Sequence, residues 1–303
     1  MSISIVVMAY NRARLLRECL ESIARQRFSP YEVIIVDDGS TDGTASIIES
    51  FIKSNKRFKA FKHTVNQGVG AARNTGLQYA RYPYVAFIAD DYILPDTYLR
   101  DMSDFIHTHP DAALVRSLIV PGQHTGYASS VDALMFHATI RLQAFCEHRI
   151  TLLKRMRYLF TRSIPENAQR NTIMPAAYAA VYKKSILKQV NGFDASLRQG
   201  EDYEMLPRIL KLSKELYFCP DITVHRAYTQ TLTSLLRNQL CAGATMRNIP
   251  LWKAPSFMLG GFFDMLLFIK QAHGLQKLTY TPGFMLSIIS FRLGYILAKL
   301  RLL

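Results

Sequence analysis

Short apolar runs alternate with amphipathic stretches over the first 120 residues of the chain. Strands are predicted where the runs are continuous, at residues 3–8, 33–36, 58–65, 85–88 and 113–120. Helices are predicted between them, because apolar residues there recur three or four positions apart. Repeated strand–helix units predict an α/β fold with a mostly parallel central sheet and helices on both faces.

Polar residues follow three of the predicted strands. Residues 10–11 (Tyr-Asn) come after the first strand, residues 37–38 (Asp-Asp) after the second and residues 90–91 (Asp-Asp) after the fourth. Ligands of open α/β sheets bind at the carboxyl ends of the strands. We therefore expect these three segments to meet in one crevice.

The two pairs of aspartates suggest binding chemistry, although each pair also has an ordinary structural explanation. Asp90 and Asp91 repel each other, and a divalent cation with oxygen ligands would offset that repulsion. An acidic turn at a strand end is the alternative. Asp38 could accept hydrogen bonds from a ribose hydroxyl or a base N–H. The alternative here is a turn, in which Asp-Gly-Ser is common.

Two later motifs carry candidate functional groups. Residues 68–73 (GVGAAR) begin like a dinucleotide-binding loop but end in arginine, and they lie far from the first strand–helix turn, so a nicotinamide site is not predicted. Arg73 is a cation that could reach a base or a phosphate. Glu201 and Asp202 precede an apolar run, which fits either acidic residues at a helix N-terminus or a general base in an acceptor site.

The net charge and the cysteines limit which classes of binding partner and which cellular compartment are expected. The formal net charge of +14 favours phosphates, nucleic acid or an anionic membrane surface as partners. No recognition-helix or aromatic-platform motif accompanies the charge, so we expect no nucleic-acid partner. The four cysteines form no C-x-x-C pair and predict neither a disulfide framework nor a zinc site. Without a signal-peptide pattern at the start, a cytoplasmic location is expected.

Three regions are apolar, with Arg or Lys residues within or beside each of them. Residues 128–162 place apolar residues at helical intervals with Arg and Lys between them, which fits a helix packed on the core or one that docks on a membrane or an acceptor. Residues 257–269 and 283–298 are apolar but shorter than the roughly 20 residues needed to cross a bilayer. We predict interfacial or re-entrant helices facing anionic headgroups, with an oligomerisation surface as the alternative.

The motifs, in their order, resemble those of the family 2 glycosyltransferases. Residues 4–12 (SIVVMAYNR) look like that family's opening strand and turn, and residues 33–44 (VIIVDDGSTDGT) are similar to its second motif. Residues 66–77 (NQGVGAARNTGL) match its third motif, and residues 85–91 stand where its metal-binding D-x-D lies. Residues 191–206 (NGFDASLRQGEDYEML) match its G-G-F-D…E-D block. The resemblance implies the GT-A fold and an inverting sugar transfer.

The resemblance also implies roles for individual residues. Those expected to bind the nucleotide-sugar are Met8, Tyr10, Asp38, Arg73 and Asp90. Those expected to hold a Mn²⁺ or Mg²⁺ cofactor are Asp91 and His225. Asp202 is expected to act as the catalytic base, with Glu201 helping to orient the acceptor.

Two departures from the family pattern bear on activity. Ala89 stands where many members have the first carboxylate of D-x-D-D or D-D-D, which predicts weaker or more Mn²⁺-dependent metal binding. The Q-x-x-R-W motif of the processive members is absent, so addition of a single sugar is expected rather than polymer synthesis.

The predicted function is transfer of a sugar from a nucleotide-sugar, by expectation UDP-linked, to a hydroxyl of a glycan or polyprenyl-linked acceptor. The context would be surface polysaccharide or glycoconjugate synthesis at the cytoplasmic face of the membrane. The alternative is a degenerate, non-catalytic protein that binds nucleotide-sugar or glycan. A nucleotidyltransferase would need a basic Gly-rich loop near the N-terminus, and residues 9–15 do not form one.

The predicted domain organisation follows from the same motifs. A GT-A domain is expected at residues 1–245, with a nucleotide-sugar-binding half at 1–120 and an acceptor-side half at 121–245. An apolar helical extension, associated with the membrane, is expected at 246–303.

Overall fold

A computed structural model describes residues 1–121, 127–128, 131, 179–197, 201–213, 215–227, 231–245 and 275–300. The predicted basic amphipathic segment at 128–162, apart from residues 128 and 131, and the apolar run at 257–269 lie outside the described residues. The chain separates into two compact units, one within Met1–Ile119 and Gln169–Ala227 and the other within Val120–Ala168 and Tyr228–Leu303. The first unit contains every residue that was assigned a role above. The predicted division at residue 245 stays a prediction.

Strands and helices alternate through the first half of the chain. In order they are β1 Ile3–Ala9, α1 Ala13–Ala24, β2 Tyr31–Asp37, α2 Thr44–Ser54, β3 Phe58–Lys62, α3 Val69–Tyr79, β4 Tyr84–Ala89, β5 Tyr92–Ile93, α4 Tyr98–Thr108 and β6 Leu114–Pro121. The later elements are β7 Ala180–Lys183, α5 Lys184–Gln189, α6 Glu201–Leu212, β8 Leu216–Arg226, α7 Leu232–Thr245 and α8 Leu275–Lys299.

The strands form one eight-stranded sheet in the order β3-β2-β1-β4-β7-β6-β8-β5. The first four strands in this order are parallel, and β7 then joins β4 antiparallel. β6 pairs antiparallel with β7, and β5 with β8. The α/β class and all five predicted strands are confirmed, and the predicted parallel arrangement holds for β1 to β4. The sequence pattern did not predict β5, β7 and β8. Two of these strands, β5 and β7, are very short.

The parallel strands bring the three polar segments to one edge of the sheet. β1 and β2 are buried along their whole length, which explains their uninterrupted apolar sequence. In the register of the sheet Ala9 is paired with Asp37, and Met8 is paired with Val36 on one side and Ala89 on the other. The residues that follow β1, β2 and β4 therefore leave the sheet at the same level, as predicted.

Helix α3 lies against the sheet at a position that only glycine fits. A Cβ placed on Gly76 would overlap the side chain of Val6 in the middle of β1. One turn earlier, Ala72 is completely buried. Small residues on this face let α3 approach β1 closely, and this approach places Arg73 inside the unit.

In the second unit, α7 packs along α8 with direct contact between the two backbones. A Cβ on Gly243 would overlap the carbonyl oxygen of Phe291, and a Cβ on Gly294 would overlap that of Leu240. α8 is longer than the predicted segment at 283–298. Its stretch Thr281–Lys299, with a mean hydropathy of 1.3, is the one helix in the described part of the chain that is long and apolar enough to cross a membrane.

Replacing Gly76 with alanine tests the close packing of α3 on β1. We expect Gly76→Ala to lower the free energy of unfolding by about 1–3 kcal/mol, because the added methyl group overpacks a filled core. Gly43→Ala is the matched control, because its Cβ would lie 3.6 Å from the Cβ of Ala13, an ordinary contact. The control should cost less than about 1 kcal/mol. Equal losses in urea titrations of the two variants would contradict the packing described.

Candidate active site

The loops after β1 and β2 are joined by hydrogen bonds. The backbone N–H of Asn11 donates to Ser40 Oγ at 3.1 Å, and the N–H of Thr41 donates to Asn11 Oδ1 at 2.8 Å. Asn11 has a φ of 51°, a conformation that asparagine tolerates better than most residues. Tyr10, immediately before it, is 45 % exposed at this edge, whereas Met8 is almost completely buried within β1.

Asp38 organises the loop between β3 and α3. Its Oδ1 accepts hydrogen bonds from His63 Nδ1 at 2.7 Å and from the backbone N–H of Gln67 at 2.9 Å, and its Oδ2 accepts one from the N–H of Gly68 at 2.8 Å. Gly68 has a φ of +93°, which glycine adopts without strain. The structure therefore shows a loop-anchoring role for Asp38. Its contact with a base or ribose stays a prediction.

Asp90 and Asp91 are both buried, and two arginines from distant parts of the chain approach them. Arg12 Nη1 lies 3.2 Å from Asp90 Oδ1 and 3.9 Å from Asp91 Oδ2. Arg226 Nε donates to Asp91 Oδ2 at 3.1 Å. The backbone N–H of Ala227 also donates to the carbonyl oxygen of Asp91 at 2.8 Å. The structure thus brings together two predicted aspartates and two arginines to which the sequence assigned no role.

Burial raises the pKa of Asp90 from its ordinary value of 3.8 to about 6. The charge of Arg12 opposes this increase in pKa, whereas the neighbouring negative charge of Asp91 adds to it. The repulsion predicted from two adjacent carboxylates is therefore present, but the desolvation of Asp90 has the larger effect on its pKa.

The acidic pair fits a divalent ion in its donor chemistry. Mg²⁺ and Mn²⁺ prefer oxygen ligands, and a bound diphosphate and water could supply the ligands that two carboxylates do not. Within the described residues no group of three or more His, Cys, Asp or Glu side chains could hold a metal ion. Asp90 and Asp91 are the residues that would hold such an ion. On entering, it would compete with Arg12 and Arg226 for the same carboxylate oxygens.

His225 lies on β8, paired with Ile93, and its side chain is exposed. Neighbouring residues of a strand point to opposite faces, and it is the next residue, Arg226, whose side chain reaches Asp91. The role of His225 as a metal ligand stays a prediction. A charged residue beside the proposed histidine was the only sequence signal that pointed to Arg226.

A second charged cluster lies inside the unit. Arg73 on α3 is completely buried, and its guanidinium donates to a carboxylate oxygen of Glu201, the first residue of α6. The same guanidinium carbon lies 5.0 Å from the ring centroid of Phe193. A contact of Arg73 with a base or diphosphate stays a prediction, as does the acceptor-orienting role of Glu201. The structure shows that Arg73 and Glu201 contact each other.

Asp202 follows Glu201 in the first turn of α6. Because α6 begins at Glu201, the predicted helix N-terminus is confirmed. Acidic residues in a first turn interact favourably with the helix dipole. Asp202 is half-buried, while Glu201 is only 3 % exposed. Burial raises the pKa of Tyr182 on β7, and the charges of Arg73 and Asp202 act on it with opposite sign. Asp202 thus lies next to a buried charged cluster but keeps access to solvent.

Removing Arg73 tests how strongly its ion pair with Glu201 supports the fold. We expect Arg73→Ala to lower the free energy of unfolding by about 3–5 kcal/mol, because it leaves the Glu201 carboxylate buried without its guanidinium partner. Arg14→Ala breaks an exposed pair with Glu18 and should cost no more than about 1 kcal/mol. Chemical denaturation of both variants measures the difference, and a similar small loss in each would contradict this role of Arg73.

The raised pKa of Asp90 predicts a pH dependence of stability. Between the unfolded pKa of 3.8 and the folded pKa of about 6, the folded protein binds more protons than the unfolded chain. The stabilisation from protonated Asp90 is therefore complete below pH 3.8 and is lost as the pH rises through about 6. The total loss is up to ~3 kcal/mol. Relative to Asp90→Asn, the wild type should lose stability across this range in denaturation curves, and parallel profiles would contradict the assignment.

Comparison with known proteins identifies the family. The model for glycosyl transferase family 2 matches residues 4–190. The putative glycosyltransferase EpsH of Bacillus subtilis is 45 % identical over 96 residues, which are 31 % of this chain and 28 % of EpsH. Poly(ribitol-phosphate) β-N-acetylglucosaminyltransferase TarS of Staphylococcus aureus is 30 % identical over 211 residues, covering 66 % of this chain and 36 % of TarS. The chain thus spans about a third of the length of these curated relatives. Glu201, Asp202 and His225 lie beyond residues 4–190, the range that the family model matches.

Solved structures show the same fold. The S. aureus TarS 1–349 structure in complex with UDP-GlcNAc has a TM-score of 0.56 and 18 % sequence identity, and the match covers 99 % of this chain and 92 % of that one. The mannosyltransferase PcManGT from Pyrobaculum calidifontis, in complex with GDP-Man and Mn²⁺, has a TM-score of 0.64 at 16 % identity over 97 % of this chain and 86 % of that one. These similarities confirm the GT-A fold. The chain belongs to glycosyl transferase family 2.

Proposed function

We propose that the protein is an inverting glycosyltransferase that moves a sugar from a nucleotide-sugar, by preference UDP-linked, to an acceptor hydroxyl. The observation that carries this proposal is the edge where β1, β2 and β4 end. There an exposed aromatic ring, the acidic pair and two guanidinium groups lie in one α/β unit. A nucleoside diphosphate offers a base for stacking on Tyr10 and negative charge for Arg12 and Arg226. The preference for UDP is supported by the TarS complexes with UDP and UDP-GlcNAc.

The proposed reaction needs one proton acceptor near the acceptor hydroxyl. The oxygen of that hydroxyl forms a bond to the anomeric carbon, the bond from that carbon to the diphosphate oxygen breaks, and the hydroxyl proton passes to Asp202. Asp202 suits this task because it is half-buried, while Glu201 is bonded to Arg73 and holds the first turn of α6 in place. We propose Asp202 as the catalytic base and Glu201 as the residue that positions it.

A divalent ion, when bound at Asp90 and Asp91, supplies positive charge against the leaving diphosphate. Mn²⁺ is favoured over Mg²⁺ here by the loss of a carboxylate at Ala89 and by the Mn²⁺ in the mannosyltransferase neighbour. His225 would need to turn toward Asp91 to serve as a ligand. Arg12 and Arg226 would bind the diphosphate once an ion has taken over the neutralisation of the aspartates.

We further propose that the acceptor is a glycan or a polyprenyl-linked glycan and that the reaction takes place at the cytoplasmic side of a membrane. The names of TarS and of the poly(ribitol-phosphate) β-glucosyltransferase of Bacillus spizizenii support a polymeric acceptor. The nucleotide-sugar half of the GT-A domain would be residues 1–120, the acceptor-side half 121–245 and the helical extension 246–303.

Two observations favour a second candidate function. Ala89 removes a carboxylate that many family members have, and the two remaining aspartates are held by arginines. A non-catalytic protein that binds nucleotide-sugar would fit both facts. Mn²⁺-dependent hydrolysis of nucleotide-sugars separates the two candidates, because a binding protein releases no nucleoside diphosphate at any Mn²⁺ concentration.

Substitution of Asp202 tests the proposed mechanism. We expect Asp202→Asn to reduce the transfer rate by about 10²–10⁴-fold, because the amide cannot take the hydroxyl proton, and to leave nucleotide-sugar binding unchanged in calorimetric titrations. Glu204→Gln is the control in the same turn of α6, where Glu204 is paired with Arg208 at the surface of the helix, and it should retain transfer. Full transfer activity of Asp202→Asn would rule out the assignment of the base.

A further inference from the structure

Helix α8 and the residue that directly follows it present six large apolar side chains to solvent, and we call them the apolar stripe. They are Met285, Leu286, Ile289, Leu293, Ile296 and Leu300. Their exposed fractions range from 38 % to 62 %. Single exposed apolar residues are common on protein surfaces, but contiguous apolar patches mark interaction sites. The arrangement of these six decides which case applies.

The six side chains of the apolar stripe share one face of the helix. With about 100° of rotation per residue, all of them fall within an arc of about 100°. From Met285 to Leu300 the stripe extends for about 22 Å at the helical rise per residue. No polar residue lies inside this arc over that length. The stripe is therefore one continuous apolar surface.

The opposite face of α8 makes the internal contacts. Gly294 meets the backbone of α7 there, and Ser287 is completely buried. Because the packed face and the apolar stripe lie on opposite sides of the helix, the stripe is not the surface by which α8 is attached to its own unit. With more than a third of each side chain exposed, the stripe is accessible to a partner.

The charges on α8 indicate the chemistry of that partner. Arg292 and Lys299, both half-buried, lie next to each other along one edge of the apolar stripe, within about 40° of it in the helical projection. After Asp264 the chain contains no Asp or Glu. A partner surface that combines hydrocarbon with negative charge would match both the stripe and its basic edge.

We propose that the apolar stripe of α8 docks on an anionic membrane surface, with the helix lying in the interface and its Arg and Lys side chains at the level of the phosphate headgroups. Docking itself is independent of catalysis. If the proposed function also holds, membrane docking favours the polyprenyl-linked class of acceptor over a soluble glycan, and only that step rests on the proposed function.

Two other occupants fit the observations less well. A second copy of this chain would bring basic edges together, and α8 offers no acidic residue to pair with them. A membrane-spanning position would carry α7 into the hydrocarbon, because its backbone lies against that of α8. The exposed Arg237 and Asn238 of α7 would be costly there. Lying at the interface avoids both difficulties.

Vesicle binding by the purified full chain tests the proposal without any nucleotide-sugar. We expect cosedimentation with vesicles of phosphatidylcholine and phosphatidylglycerol, and weaker binding to phosphatidylcholine alone. Ile289→Glu with Leu293→Glu should weaken binding at least about a hundredfold, since two apolar side chains lose their burial. Lys299→Gln should weaken binding to the anionic vesicles by about fivefold and leave binding to the neutral ones unchanged.

The matched control for the double variant is Ile52→Glu with Leu212→Glu, which charges one isoleucine and one leucine exposed at 38 % and 49 % in the other unit. It should bind vesicles like the wild type. Asp202→Asn should also bind like the wild type, so that a failure of the proposed function is distinguished from a failure of docking.

Three outcomes would overturn the proposal. One is equal vesicle binding by the wild type and the Ile289→Glu, Leu293→Glu variant, including the absence of binding by both. Another is retention of the chain in membranes after alkaline carbonate washing, which indicates a spanning helix. The third is a lipid-free dimer in sedimentation velocity that the double variant dissociates, which assigns the apolar stripe to a second copy.

Discussion

The burial of two adjacent carboxylates at the end of β4 is the constraint on which the candidate site depends. Asp90 and Asp91 are only 6 % and 2 % exposed, so their negative charges must be offset by nearby cations or by protonation. The fold uses both means, because guanidinium groups approach each aspartate and the pKa of Asp90 is raised. Arg12 comes from the turn after β1 and Arg226 from the end of β8. The neutralisation of Asp90 and Asp91 thus links the turn after β1 to the end of β8.

The pair of Arg73 and Glu201 is a second case in which buried charges of opposite sign offset each other. It joins α3, which packs on the sheet beside Val6, to the first turn of α6, and both partners are withdrawn from water. In such an environment the attraction between the charges roughly balances the cost of their desolvation. The pair therefore adds little net stability, and its main effect is to fix the positions of α3 and α6 relative to each other. The residue after Glu201 is Asp202, the proposed catalytic base, so the pair also fixes where its backbone lies.

Much of this arrangement could be predicted from the sequence, and the remainder had physical reasons to stay hidden. Strand ends are marked by the change from apolar to polar residues, which is a local signal, so the convergence of residues 10–11, 37–38 and 90–91 was predictable. Ion pairs such as that of Arg226 with Asp91 depend on which strands become neighbours in the sheet. No local periodicity of the sequence indicated that β7 would pair antiparallel with β4. Asp38 shows a further limit. Its sequence context indicated a hydrogen-bond acceptor, but the donors that it binds are the His63 side chain and two backbone N–H groups of its own chain.

The separation in sequence between Arg73 and Glu201 has a consequence for the order in which the protein folds during synthesis. The first four parallel strands leave the ribosome long before residue 201, so early intermediates contain the Arg73 helix without the carboxylate that meets it in the finished unit. An arginine is costly to bury under those conditions. The α3 face that packs against β1 should therefore stay loosely docked until α6 has been made. The first 120 residues, although their pattern resembles a complete α/β layer, would then depend on α6 to close their interior.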